Sequence, residues 1–193
     1  KEIHARIQDK DGQPIPSLLL GKIMRNRKLF HTLLRTAKWA QKPVKGEDGF
    51  MRHLPMMFFK EHDYKALPAI AEKPFRDVWL EIKPKVDKPK YRVGLFSGCV
   101  QDFVYPEQMV AAVELFQDHD VAMVFPMEQS CCGLPVQMMG DKKVSREVAL
   151  QNLKAFIGED VDYIVTLCAS CASHLKHTYP VLLEDNAKLA EQL

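Results

Sequence analysis

The chain has 193 residues, 47% of them apolar, and a formal net charge of +2. That is enough material for one packed domain with an extension. No apolar run reaches the ~18 residues a membrane span needs, and no signal-peptide pattern is read at the start. The small net charge conceals a split. Residues 1–90 carry 20 Lys and Arg against 11 acids, and residues 91–193 carry 7 against 14. Eight of the twelve prolines and none of the five cysteines lie in the first 90. We read two regions: a basic, Pro-rich, mainly helical extension over 1–90 and a cysteine-bearing domain over 91–193. The chain begins on Lys1 and is read as a segment of a longer protein.

Residues 1–16 are polar, with a turn at Asp9-Lys10-Asp11-Gly12 and breakers at Pro14 and Pro16. Ser17 is a candidate N-cap. From Leu18 to about Gln41, Leu19, Ile23, Phe30, Leu33, Leu34 and Ala37 recur at spacings of three and four. This predicts a helix that ends before Pro43 and is loosened at Gly21 or near Asn26. Its other face is basic, with Lys22, Arg25, Arg27, Lys28, Arg35 and Lys38, and no acid falls between residues 17 and 45. Such a helix suits an anionic membrane surface or an acidic partner, but a charged face on a helix packed against its own domain is the plainer reading. Nucleic acid is not an expected partner, because no reader motif accompanies the basic stretch and the other half is acidic.

Residues 50–59 read Phe-Met-Arg-His-Leu-Pro-Met-Met-Phe-Phe. They predict a loop tucked under the domain, with a subunit or quinone contact as the sharper alternative. Pro68, Pro74, Pro84 and Pro89, among lysines, predict an extended linker over 65–90 with one short helix near Ala69 to Ala71.

The second half alternates. Tyr91 to Ser97 is strand-like, and Pro106 to Asp118 is helical with Met109, Val110, Val113, Leu115 and Phe116 as the buried stripe. Val121 to Phe125 reads as a strand buried on both faces. A loop over 126–140 leads to a helix from Asp141 to about Ile157, then a strand from Val161 to Leu167 and a helix to about His177. The fold class is α/β: a three-stranded parallel β-α-β-α-β sheet unit, half of a Rossmann-like fold.

The chemistry lies in Cys99, Cys131, Cys132, Cys168 and Cys171. Cys99 follows the first strand, Cys131-Cys132 the second, and the Cys168-Ala169-Ser170-Cys171 CxxC the third. Ligands of open α/β sheets gather outside the carboxyl ends of the strands, so all five thiols are expected at one site. Thiolates suit zinc, Cu(I) and iron–sulfur clusters, and five exceed the four that a zinc tetrahedron or a cubane needs. Clustered cysteines of this kind point to a reducing, cytoplasmic compartment, with the inner face of a membrane as a compatible position. Gly98 and Gly133, each beside a cysteine, are candidates for close backbone approach to the bound group or for simple turns. His174 and His177, close after the CxxC, are candidates for hydrogen-bond donors near the site or for ligands, with ordinary surface histidines the plainer reading, and Met138-Met139 are read as packing against the sheet rather than touching a bound group.

One cysteine, 31 residues, Cys-Cys-Gly, a further 34 residues, then CxxC resembles the cysteine-rich CCG domain. Gly98-Cys99, Asp102, Tyr105-Pro106, Phe125-Pro126, Gln129-Ser130-Cys131-Cys132-Gly133 and Pro135 carry the likeness, over roughly residues 91–180. The CCG domain occurs in heterodisulfide reductases, in iron–sulfur subunits of glycolate and lactate oxidases, and in lactate-utilisation proteins. The resemblance implies a [4Fe–4S]-type cluster, including the non-cubane form, on the five cysteines. It also implies a flavin-containing partner subunit, neighbouring ferredoxin-like clusters and a membrane or quinone-linked acceptor. Residues 1–90 look similar to the segment that joins a ferredoxin-like module to the CCG domain in such proteins. Two other readings stay open: a structural zinc site on four of the thiolates, and thiol–disulfide chemistry at Cys168 and Cys171.

Overall fold

The computed structural model describes residues 15–42, 50–51 and 67–186, with Arg6 and Lys10. The turn at 9–12 and most of the apolar stretch at 50–59 lie outside the described residues. The single helix expected after Ser17 is two, α1 (Ile15–Arg25) and α2 (Arg27–Ala40). Asn26 makes the break. Its backbone is extended (φ −101°, ψ 92°), and its side chain accepts from the Leu29 amide at 3.1 Å, which caps α2. The basic face is turned onto the chain's own acceptors. Arg25 meets Glu147 at 2.6 Å, Arg35 grips Asp77 with two bonds of 2.6 Å, and Lys38 donates to the Glu72 carbonyl at 3.0 Å.

Two short strands, β1 (Phe50–Met51) and β2 (Leu67–Pro68), pair antiparallel. The helix expected near Ala69 to Ala71 is not there. Residues 69–71 are irregular, and α3 (Phe75–Ile82) follows instead. Pro74 holds the extended conformation that precedes a helix, and Phe75 and Trp79 give α3 a face worth burying. Both rings pack on Phe125, at 5.1 and 5.7 Å between centroids, within a core that includes Leu95, Met109, Val113 and Met123.

The second half has the expected alternation. It runs β3 (Tyr91–Leu95), α4 (Val100–Phe103), α5 (Pro106–Asp118), β4 (Val121–Val124), α6 (Leu134–Met138), α7 (Lys142–Phe156), β5 (Tyr163–Val165) and α8 (Ala169–Ser173). The three strands form one parallel sheet in the order β4-β3-β5, with Tyr91 opposite Val121 and Val93 opposite Tyr163. Of β4 only Met123 is fully buried, because β4 is an edge strand rather than a central one. The Asp141 carboxylate caps α7 as expected, accepting from the Val144 amide at 2.9 Å. Helix α6 was not expected inside the 126–140 loop; Pro135 sits in its first turn, where a missing N–H costs nothing. A π-helical turn (His174–Thr178) and α9 (Tyr179–Leu182) complete the packing against α7.

Candidate functional site

The loops after β3, β4 and β5 deliver all five cysteines to one place, as free thiols. Cys99 leaves the turn after β3 and leads into α4. Cys131 and Cys132 precede α6, and Cys168 and Cys171 bracket the start of α8. The sulfurs form a row. Cys99 Sγ lies 3.6 Å from Cys131 Sγ. Cys131 adjoins Cys132, which packs in one cluster with Cys171 and Cys168. Cys168 Sγ lies 3.1 Å from the Ser170 hydroxyl at the far end. Cys131, Cys132 and Cys171 are buried, while Cys99 and Cys168 are half-buried.

Contacts among the sulfurs sort the thiols into two kinds. Contact with Cys131 lowers Cys99, and contact with Cys131 and Cys171 lowers Cys132 to about 3. Cys131 and Cys171 are raised, each first by its contact with Cys132 and further by burial.

The chain's own residues fit a sulfur-bound group. Gly98 has φ +63°, and a Cβ there would stand 3.1 Å from the Cys171 sulfur. Only glycine leaves that space beside the Cys171 sulfur. Gly133, at φ +90°, would instead meet Val148 at 3.2 Å, so its role is packing on α7. Among the described residues no three Cys, His, Asp or Glu are arranged around a point that would hold one metal ion.

Buried polar side chains fix the cysteine loops. Gln129 accepts from the Ser97 amide at 2.8 Å and donates to the Leu95 carbonyl at 2.9 Å, joining the loop before Cys131 to the end of β3. Asn152 on α7 accepts from the Ser130 amide at 2.8 Å and donates to the Cys131 carbonyl at 2.7 Å and the Tyr179 hydroxyl at 3.0 Å. Tyr179 donates in turn to the Cys132 carbonyl at 2.8 Å. Asp102, fully buried three residues after Cys99, holds Arg76 of α3 through its guanidinium at 2.5 and 2.7 Å and its amide at 3.1 Å. Arg76 also donates to the carbonyls of Met127 and Gln129.

Two expectations need correction. His174 is not a surface residue: it is 1% exposed and edge-on to Tyr179 at 5.4 Å. His177 is exposed, as expected. Met138 and Met139 are 46% and 39% exposed rather than packed on the sheet, because the short α6 ends there and turns them outward. The sequence reading passed over Asn152, Tyr179 and Arg76. Asn152 had a signal, as a polar residue on the stripe formed by Val144, Val148 and Ala149.

Residues 93–176 match the family model described as the cysteine-rich domain, CCG. An uncharacterised iron–sulfur protein of Methanococcus maripaludis is 39% identical over 94 residues, which are 49% of this chain and 19% of that protein. The probable glycolate oxidase iron–sulfur subunit of Bacillus subtilis is 35% identical over 109 residues, 56% of this chain and 24% of that one. Lactate utilization protein A 2 of Bacillus cereus is 35% identical over 101 residues, 52% and 41%. The chain thus spans between a fifth and two fifths of the length of these relatives. No solved structure matches it.

Proposed function

We propose that Cys99, Cys131, Cys132, Cys168 and Cys171 hold an iron–sulfur cluster of [4Fe–4S] type. In this reading the domain over 91–193 passes electrons within a multi-subunit oxidoreductase that oxidises a 2-hydroxy acid such as lactate or glycolate. The carrying observation is the contiguous row of five thiols from three separate loops. The names of the glycolate oxidase and lactate utilization relatives support the substrate class, and a flavin-containing subunit is the partner chemistry that oxidation of a 2-hydroxy acid calls for.

Such a cluster, when bound, takes up and releases single electrons. The chain's residues do the rest. Cysteines bind such a group as thiolates, so ligation would draw a proton more readily from the lowered Cys99 and Cys132 than from the raised Cys131 and Cys171. Gly98 leaves room beside Cys171, and Asn152, Tyr179 and Gln129 hold the loops so that little moves when the charge changes. A set of five donors exceeds a zinc tetrahedron, and a CxxC dithiol leaves Cys99, Cys131 and Cys132 without a task.

Replacing Cys132, the middle of the row, tests the assignment. Cys132→Ser in protein prepared without oxygen is expected to abolish or transform the visible cluster spectrum, with the fold retained by circular dichroism. An unchanged spectrum removes Cys132 from the ligands.

A further inference from the structure

The family match begins at residue 93, yet the matched segment does not enclose its own thiols. Around Cys132, Cys171 and Cys168 the apolar wall is Phe96, Leu134, Phe156 and Leu175, all within the match. Around Cys131 and Cys99, Val136, Val144 and Val148 supply only part of it. The remainder comes from outside the match: Met24, 2% exposed, with Leu20 and Phe30 beside it.

We propose that α1 and α2 are a built part of the site. Met24, Leu20 and Phe30 act as positioning residues that close the Cys131 end to water and so set the solvation of whatever the thiols bind. Only that last clause rests on the ligand reading above; the enclosure itself does not.

The fit is close and anchored at each element that carries these thiols. Gly21 lets α1 approach α7, where a Cβ would meet Val144 at 3.2 Å. Arg25 pairs with Glu147 of α7 at 2.6 Å. Arg27 donates to the Met127 carbonyl at 3.3 Å, in the loop that leads to Cys131. His31 reaches Ser130, the residue before Cys131, with Nε2 at 3.5 Å from its hydroxyl. The same ring packs on Phe103 of α4, after Cys99, at 5.5 Å. An apolar shell of this kind controls solvent access and local dielectric at sulfur ligands.

The test needs no metal. The reduced, metal-free chain is alkylated with iodoacetamide, and each cysteine is followed by peptide mass spectrometry. Cys131 is expected to react far more slowly than Cys168. Met24→Ala should speed Cys131 by at least about thirtyfold, the low end of what truncating a buried methionine does to a local opening equilibrium. Cys171 should change much less. Met109→Ala, the same truncation in the core beneath α3, should leave the ratio of Cys131 to Cys171 unchanged. Arg25→Glu, which sets two carboxylates face to face on the surface and leaves the core whole, should shift Cys131 in the same direction by less. Two results overturn the proposal: Cys131 reacting as fast as Cys168 in the unaltered chain, or Cys131 and Cys171 rising in step in Met24→Ala. A failed cluster assignment leaves this outcome intact, so the two ideas fail separately.

Discussion

His31 is a base held where a proton is unwelcome. Burial, then the charges of Arg76, Arg27 and Arg35, lower it from 6.5 to about 3. The ring is therefore neutral across the physiological range. The unfolded chain binds a proton there as pH falls through about 6.5, and the folded chain does not until about 3. His31 thus contributes stability that is full above pH 6.5 and lost as pH falls toward 3. Urea midpoints measured between those limits should decline with falling pH, and His31→Gln should show a shallower decline. Equal slopes would mean that the ring is solvated in the folded state. His174 was legible in part: it stands three residues after Cys171, on the same helical face. The sequence could not rank it above His177, because the π-helical turn that follows is set by packing and has no local signature.

At the scale of elements, the cysteine loops are held by polar side chains from elsewhere. Asn152→Ala leaves the Ser130 amide and the Cys131 carbonyl buried without their partner, at a cost of about 1–3 kcal/mol for each. Tyr179→Phe keeps the ring and frees only the Cys132 carbonyl and one Asn152 donor, so its loss should be smaller. Denaturant unfolding of the two variants checks the order. Arg76→Ala leaves Asp102 as a buried charge without its guanidinium, and should cost about 3–5 kcal/mol. A loss below about 1 kcal/mol would mean that water reaches Asp102 freely. The alternation of β3, α5, β4, α7 and β5 was legible from apolar runs and breakers. Helix α3 was not. Four prolines and the lysines outweighed Phe75 and Trp79, whose value appears only once Phe125 is known to lie opposite. The break at Asn26 was half legible, because a capping residue inside an amphipathic run fits a kink as well as a stop.

For the whole molecule, the charge split has a structural counterpart. Basic α1 and α2 lie against the acidic half, through Arg25 on Glu147 and Arg27 on the 127–128 loop. The site was legible because it depends on topology. Three strand ends on one edge of a parallel sheet must bring their following residues together, whatever the details of packing. Its enclosure was not legible. Amphipathic spacing shows that Met24 and Phe30 have a buried face, but not that Cys131 lies beneath it. The central claim, that this row of thiols holds an iron–sulfur cluster, is tested most directly by iron, acid-labile sulfide and zinc content of protein prepared without oxygen, together with its visible spectrum. The account predicts about four irons with matching sulfide and a broad absorbance that dithionite bleaches. Stoichiometric zinc without sulfide, or neither metal after anaerobic reconstitution, would contradict it.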